Sequence, residues 1–312
     1  MAGPDYAYTQ APSGHRLHAD AVLGPVHLQV AELRRSIAYY ERVIGLRTIG
    51  SNASSAVLGA HDDPTPIVIL QHQQGASPVP SRGRLGLYHF AILVPDRAAL
   101  GRFIAHLAAI GAYAGMSDHL VSEAVYLTDP DGLGIEVYAD RPRDSWRINN
   151  RALEMGTLTL DAADLVRASR GEQWEGMPPG TRIGHVHLFV SDLDEAARFY
   201  HHGLGLDKVV LEFPGALFMS AGGYHHHLGT NTWAAGAERA QPGDARLLEW
   251  SVMLPTREDV DATARALEQA GATISREGGD MIAADPWGTI VRVAVRGIAP
   301  ITTDSLDRRS AE

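Results

Sequence analysis

Three side chains of metal-binding types occupy corresponding positions in repeated segments of the sequence. His185 lies seven residues before an acid that is expected to start a helix, and His89 holds the matching position in another segment. Glu136 lies seven residues after the aspartate of an Asp-Pro pair. A lone strand histidine is more often a hydrogen-bonded core residue, but three such residues at equivalent positions favour ligation. On rigid strands they would form a facial triad that leaves metal positions open for substrate and for oxygen or water.

A run of histidines in the sequence Tyr224-His225-His226-His227 forms a second cluster, on a predicted hairpin. Because side chains alternate between the two faces of a strand, either His225 and His227 or else His226 alone would face one site. Histidine is suited to general acid–base catalysis near neutral pH. The alternative is a solvent-exposed polar run.

Further candidates lie near these residues in the sequence. Tyr126 lies ten residues before Glu136 and would share its cavity on a continuous pair of strands. His119 heads the preceding strand, where a catalytic and a structural role are both open. His27 and His187 lie two residues after the ligand position, so they face the same side of their strands and would support the ligands.

Substrate contacts are assigned to His187, His227 and Trp233. The large aromatic side chains that would surround a ring, or else fill plain core, are Phe218, Trp233, Trp250 and Trp287.

An internal repeat organises these candidates. Three segments of the first half recur in the second at offsets of 160, 160 and 156 residues; those starting at Gly24, Leu87 and Leu127 match those starting at Gly184, Leu247 and Ala283. The chain is therefore a duplicated half, and each half holds two related units. Each unit is predicted as a strand, a capped amphipathic helix that ends at a glycine, and three further strands.

The pattern predicts an α+β protein with four βαβββ modules. Its parts are an arm at 1–21, a first domain at 22–140 (modules 22–80 and 85–140), a linker at 141–180, a second domain at 181–298 (modules 181–234 and 245–298) and a tail at 299–312. The linker is polar, with some helical pattern from Leu153 to Leu165.

Composition narrows the class of function. Of 312 residues, 45% are hydrophobic and 21% charged, and the formal net charge is −10. This acidic balance argues against nucleic acid or an anionic membrane as partner. The absence of cysteine excludes thiolate ligands and fits a cytoplasmic location. The N-terminus lacks the apolar region of a signal peptide, so an arm is expected there.

The segments GHVHLFVSDL, LYHFAILVP, SEAVYLTDPDGLGIEVYADRP and SAGGYHHHLGTNTW resemble the catechol 2,3-dioxygenase-like proteins of the glyoxalase/bleomycin-resistance/extradiol-dioxygenase superfamily, also called vicinal oxygen chelate proteins. The resemblance implies modules paired into incomplete barrels around Fe(II), or else Mn(II) or Zn(II). It assigns metal ligation to His89, Glu136 and His185, and catalysis to His226 and Tyr126. It also implies a small aromatic substrate, O2 and a homodimer.

One departure from the family pattern fixes how the modules should pair. Pairing modules one and two would place Pro25 at a ligand position, and pairing three and four would place Arg292 at another. Arginine cannot ligate a cation. Modules two and three are therefore predicted to share the metal barrel, and modules one and four a metal-free barrel.

Three functions remain open on this site. The resemblance favours extradiol cleavage of a catechol-like ring, with His226 handling a proton and Tyr126 binding a substrate oxygen. A metal-dependent isomerase or lyase would use the same ligands with Glu136 or a histidine as base. A non-enzymatic small-molecule binding protein would need neither the triad nor an acid–base group.

Overall fold

The first two modules have the predicted order of elements in the computed structural model, which describes residues 6–297. Module one contains β1 Val22–Val30, α1 Leu33–Tyr39, β2 Arg47–Ser51, β3 Ser55–Gly59 and β4 Pro66–His72. Module two contains β5 Gly86–Leu93, α2 Arg97–Ile110, β6 Gly115–Asp118, β7 Ser122–Thr128 and β8 Gly134–Asp140.

The segment between the halves and the last two modules follow. The connecting segment holds a 3-10 turn at Arg143–Ser145, β9 Ile148–Asn149, β10 Ala152–Leu153 and α3 Ala162–Ala168. Module three contains β11 Arg182–Phe189, α4 Leu193–Ala196, β12 Asp207–Val210, β13 Ala216–Ser220 and β14 Leu228–Asn231. Module four contains β15 Arg246–Leu254, α5 Arg257–Gln269, β16 Ile274–Glu277, β17 Asp280–Ala284 and β18 Ile290–Val295.

These strands form two curled eight-stranded sheets, and each sheet joins one module from each half. The site sheet has the order β12-β13-β14-β11-β5-β8-β7-β6, and the counterpart sheet has the order β16-β17-β18-β15-β1-β4-β3-β2. The first strands of two modules meet antiparallel at each centre, as β11 with β5 and β1 with β15. The predicted fold class is confirmed, together with the pairing of modules two and three.

The predicted helix signals are also present. A side chain accepts a backbone N–H at the start of each module helix, from Glu32, Asp96, Asp192 and Thr256. The glycines after these helices, Gly45, Gly111, Gly205 and Gly271, have φ between 68° and 92°. The sequence did not indicate that α1 and α4 continue as π-helix, over Tyr40–Ile44 and Ala197–Gly203.

The connecting segment departs from the prediction. The helical pattern drawn from Leu153 to Leu165 is wrong at its start, because Leu153 lies in β10. Asn150 and Arg151 have left-handed backbone, with φ of 48° and 64°, which turns the chain between β9 and β10. The helix begins only after Asp161, whose side chain caps it.

The described part of the arm lies against module three. The backbone N–H of Gln10 donates to the carbonyl of Lys208 at 2.8 Å, and Arg16 donates to Asp207 through two nitrogens, at 2.8 and 2.6 Å. The tail predicted at 299–312 lies outside the described residues. Within 6–297, no helix has the length and apolarity that crossing a membrane requires.

Candidate metal centre

Strands β11, β5 and β8 lie side by side in the site sheet, and each carries one candidate ligand. His185 on β11 and Glu136 on β8 both pair with Ala91 on β5, so these residues form one row across the sheet. His89 lies two residues before Ala91 and points to the same face. Because Ala91 is buried and carries only a methyl group, the longer side chains on either side meet above it.

The three ligand atoms form a nearly equilateral triangle. Glu136 Oε2 lies 3.0 Å from His89 Nε2 and 3.1 Å from His185 Nε2, and the two Nε2 atoms are 3.3 Å apart. Ligands at right angles on an ion with bonds of roughly 2.1 Å are about 3 Å apart. The donor set therefore fits one face of an octahedral ion, and the structure brings together the three residues that the sequence analysis selected.

The protonation states of this group suit a cation. Burial alone would raise the pKa of the Glu136 carboxyl, but the charge and hydrogen bonds of His185 and His89 outweigh it and hold that pKa well below its usual range. Burial lowers the pKa of His185 to about 4. At neutral pH the carboxylate is ionised and the His185 ring is neutral, which are the states that metal ligation requires.

The row of residues continues from the triad to a tyrosine and a histidine. Glu136 pairs with Tyr126 of β7, and the hydroxyl of Tyr126 lies 2.6 Å from Nε2 of His119. The other nitrogen of His119, Nδ1, lies 2.6 Å from the carbonyl of Gly156. A carbonyl only accepts, so Nδ1 carries a proton; when the ring holds only that proton, Nε2 accepts from the Tyr126 hydroxyl.

His119 itself does not head a strand. Strand β6 ends at Asp118, and His119 follows in a turn before β7. Leu120 in that turn has φ of 70°. The turn directs the imidazole towards Tyr126. A regular strand at this position would not have predicted that contact.

The adjacent histidines also lie in a turn, so the predicted hairpin strand is wrong there. β13 ends at Ser220 and β14 begins at Leu228. Gly222 and Gly223 between them have φ of 61° and 65°, a left-handed backbone that favours glycine. Strand alternation therefore does not decide where these histidine rings point.

Each of the three histidines has its own environment. His226 lines the cavity, with its ring centroid 4.0 Å from that of His185. His225 is buried, with its Nδ1 2.8 Å from Nδ1 of His226. His227 accepts the backbone N–H of Ala221 at 3.2 Å and lines a separate small cavity beside the arm. The predicted substrate contact of His227 therefore has no support in this geometry.

His187 lies beside the triad. Its ring centroid lies 5.0 Å from that of His89, its Cα partner on β5. Asn231 lies 3.0 Å from Nε2 of His187, and its amide nitrogen is the donor of that hydrogen bond. Its Cα partner on the other side is Gly229, where a Cβ atom would lie 2.9 Å from the ring. The imidazole is thus fixed by the hydrogen bond from Asn231, and it fits against Gly229 because that residue has no side chain.

A cavity of about 340 Å³ opens in front of the triad. Its apolar walls include rings and thioethers from Tyr88, Met116, Met155, Phe213, Phe218 and Trp233. An open groove adjoins it and shares Tyr88 and Trp233. Trp250 and Trp287, two of the aromatic candidates, are buried and do not line this cavity.

Several wall residues were missed by the sequence analysis. Met155, Gly156 and Thr157 come from the predicted linker, which belongs to no repeated unit and so had no counterpart for comparison. Phe213 lies in the loop between β12 and β13. No signal in the sequence indicated that these segments fold over the triad.

Comparison with known proteins agrees with this fold. A model of the Glyoxalase/Bleomycin resistance protein/Dioxygenase superfamily matches residues 22–137 and 182–292. The catechol-2,3-dioxygenase of Bacillus subtilis (strain 168) is 41% identical over 274 residues, which cover 86% of this chain and 95% of that protein.

Solved structures share the architecture at lower identity. One from Bacillus subtilis subsp. subtilis str. 168, provisionally described as a dioxygenase, has a TM-score of 0.65 and 14% identity and covers 95% of this chain and 96% of its own. Glyoxalase I from Zea mays has a TM-score of 0.51 and 17% identity, with coverage of 93% and 95%. At these identities the two structures establish the fold alone.

Proposed function

Since the chain belongs to the Glyoxalase/Bleomycin resistance protein/Dioxygenase superfamily, we propose that it is a metal-dependent extradiol dioxygenase. Its reaction would cleave the ring of a catechol-like substrate beside the two hydroxyls and place both atoms of O2 in the product. The observation that carries this proposal is the facial triad of His89, Glu136 and His185 at the base of a cavity that also holds Tyr126 and His226. The identity to a catechol-2,3-dioxygenase adds support.

The residues of the triad fit a divalent ion, and we propose Fe(II), with Mn(II) or Zn(II) as the alternatives. When bound, such an ion supplies open positions for two vicinal oxygens and O2, and a redox-active ion permits electron transfer between them. The single carboxylate leaves the ligand set with one negative charge, which suits oxygen activation by Fe(II).

Tyr126 is proposed to orient the substrate. Its hydroxyl proton is directed to Nε2 of His119, so its oxygen lone pairs remain for a hydroxyl group in the cavity. Burial and the nearby Glu136 carboxylate raise the pKa of Tyr126, so the phenol stays protonated. His119 would thereby act on the substrate through Tyr126.

His226 is proposed as the acid–base group. It lines the cavity beside His185, and its Nδ1 is engaged by His225. Nε2 is then the ring nitrogen left for a proton of the substrate.

Apolar walls support an aromatic substrate. Tyr88, Phe218 and Trp233 surround His187 in edge or tilted ring contacts with centroids 5.2 to 5.8 Å apart. Such surfaces bind the faces of rings, while the polar groups lie at the triad. His187 and Trp233 are the proposed substrate contacts.

Reconstitution of metal-stripped protein tests the proposal. Samples loaded without oxygen with Fe(II), Mn(II) or Zn(II) receive catechol and O2, and both O2 uptake and the conjugated ring-opened product are followed. We expect one O2 per ring with Fe(II) or Mn(II). A His226→Gln variant should bind the metal normally but turn over about 100-fold more slowly.

The other outcomes separate the remaining functions. Ring-opened product with no uptake of O2, or no product with any of the metals, would contradict the dioxygenase proposal. Metal-dependent turnover of an aldehyde or thiol adduct without O2 would favour the isomerase or lyase alternative. A homodimer and a cytoplasmic location stay predictions from the sequence.

A further inference from the structure

A hydrogen-bonded chain leads away from the cavity behind His226. Nδ1 of His226 lies 2.8 Å from Nδ1 of His225, and Nε2 of His225 lies 2.8 Å from Oδ1 of Asp140. The His225 side chain is fully buried, whereas the Asp140 side chain is 28% exposed. The chain thus runs from the cavity through a buried ring to a partly exposed carboxylate.

The environment of His225 leaves it little freedom. Its ring centroid lies 4.1 Å from that of Tyr224 and 5.6 Å from that of Trp146. The Tyr224 hydroxyl donates to the same Asp140 oxygen at 3.0 Å. The hydroxyl of Tyr138 lies 2.7 Å from the Tyr224 hydroxyl and can donate a hydrogen bond to it. Oδ1 of Asp140 is therefore within hydrogen-bond distance of both His225 and Tyr224.

These contacts determine where the protons lie. Oδ1 of Asp140 already accepts the Tyr224 hydroxyl, so in its contact with His225 it acts as an acceptor and Nε2 of His225 carries the proton. When the His225 ring carries this one proton, Nδ1 holds a lone pair. Two lone pairs 2.8 Å apart would repel, so Nδ1 of His226 must carry the proton between the two rings. Nε2 of His226 is consequently unprotonated.

We propose that His225, anchored by Asp140, is a positioning residue that fixes the ring and tautomer of His226 so that an unprotonated Nε2 faces the cavity. This inference rests on the acid–base role proposed for His226. When Nε2 takes a proton from a substrate hydroxyl, the His226 Nδ1 proton can shift to Nδ1 of His225. The resulting positive charge lies beside Asp140, and the three groups together have gained the one proton that the substrate has lost.

The test begins with the tautomer and not with activity. Two-bond proton–nitrogen correlation spectra of ¹⁵N-histidine-labelled, metal-free protein distinguish the two neutral forms of a ring, and a His226→Gln variant assigns the signal. We expect the Nδ1–H form of His226 in the native protein. The Asp140→Asn variant, whose amide can donate to His225, should shift His226 towards the Nε2–H form. A native Nε2–H form, or no change in the variant, would overturn the proposal.

Steady-state kinetics with catechol on the metal-loaded protein provide the second readout. His225→Phe keeps a ring but removes both nitrogens, and should lower kcat by at least about 10-fold with KM within twofold. His225→Asn places an amide oxygen near the former Nδ1 and should recover part of that loss, whereas His225→Gln should not. His106→Phe, on a helix away from the cavity, is the matched control and should leave kcat unchanged.

The failures of the two proposals are distinguishable. If native protein cleaves no catechol while His226 shows the expected tautomer, the proposed function fails and the positioning of His226 stands. If catechol is cleaved but His225→Phe changes KM and kcat alike, or Asn and Gln behave the same, the positioning role fails. Thermal unfolding and metal content of each variant identify any that merely misfold.

Discussion

The site sheet and the counterpart sheet have the same frame but opposite chemistry. The pairing of His187 with His89 recurs as His27 with Glu249. Ala91 with Glu136 recurs as Ser251 with Arg292. Where the site sheet carries two histidines and a carboxylate, the counterpart sheet carries a proline, a carboxylate and an arginine.

The arginine turns the equivalent position into an ion cluster. Arg292 is almost fully buried and donates to Glu249 at 2.7 Å, to Glu277 at 2.6 Å and to Asp280 at 3.3 Å. Its guanidinium satisfies carboxylates that would otherwise need a cation. The fold therefore supplies the convergence of three strands, and the residues at the three equivalent positions decide whether a candidate metal triad or a buried arginine lies there.

Removing the carboxylate of the site sheet should have the largest effect. In a Glu136→Ala variant we expect the bound metal to be lost and ring cleavage to fall more than about 100-fold, because two imidazoles without a carboxylate hold a divalent ion poorly. Metal analysis after purification without oxygen measures this. Glu249→Ala, which removes a carboxylate from the counterpart sheet, should keep its metal; loss of metal from both variants would break the comparison.

Removing the Arg292 guanidinium should lower the stability of the fold without reducing the metal content. Arg292→Met leaves Glu249, with 12% of its side chain exposed, without its buried partner, and should lower the free energy of unfolding by about 3 kcal/mol. Chemical denaturation measures the change. The exposed pair of Arg167 and Asp164 provides a control, since Arg167→Met should cost under about 0.5 kcal/mol. Metal content that falls with Arg292→Met would contradict the separation of the two sheets.

The buried histidines His185 and His227 should make the stability of the metal-free protein sensitive to acid. Burial lowers the pKa of His185 to about 4 and that of His227 to about 3, from the usual 6.5. As the pH falls below 6.5, these histidines take up protons in the unfolded chain before they do so in the folded protein. The folded protein therefore loses stability that it has above that pH. Between pH 7 and pH 5 we expect roughly 2 kcal/mol from each ring. Urea unfolding at both pH values should show a smaller drop for His227→Gln; an equal drop would refute this cause.

The smallest effect should come from the histidines that follow the ligand positions. His187→Gln removes a ring packed against His89 and should lower kcat/KM for catechol about 10-fold. His27→Gln, at the equivalent place in the counterpart sheet, should change kcat/KM less than twofold. Equal losses in the two variants would mean that both act through stability, which thermal unfolding would reveal.

Much of this architecture was predictable because it depends on local or repeated patterns. Helix caps and left-handed glycines are properties of short segments, and the duplication gave each a second example. The pairing of modules two and three followed from chemistry, because a buried arginine cannot replace a metal ligand. The residues of the triad were found because metal-ligand residue types lie at equivalent positions of the repeat; that they bind a metal stays a prediction.

The parts that were missed depend on contacts distant in sequence. The turn at Gly222 and Gly223 breaks the expected strand, and it lies against the backbone of Ala19 and the ring of Tyr6 in the arm. The link between Asp140 and His225 joins residues 85 positions apart. Neither feature recurs elsewhere in residues 6–297, so no periodicity could reveal it.

Because each sheet joins one module from each half, the two sheets can be completed only one after the other during synthesis on the ribosome. All strands of the site sheet have been synthesised once Asn231 emerges, whereas β1 needs β15, whose Met253 pairs with Val22. Until then the nine-residue β1 presents an unpaired hydrogen-bonding edge, the type of surface that recruits other nascent chains. Newly made protein must therefore protect its first module for the whole time that the later modules take to appear.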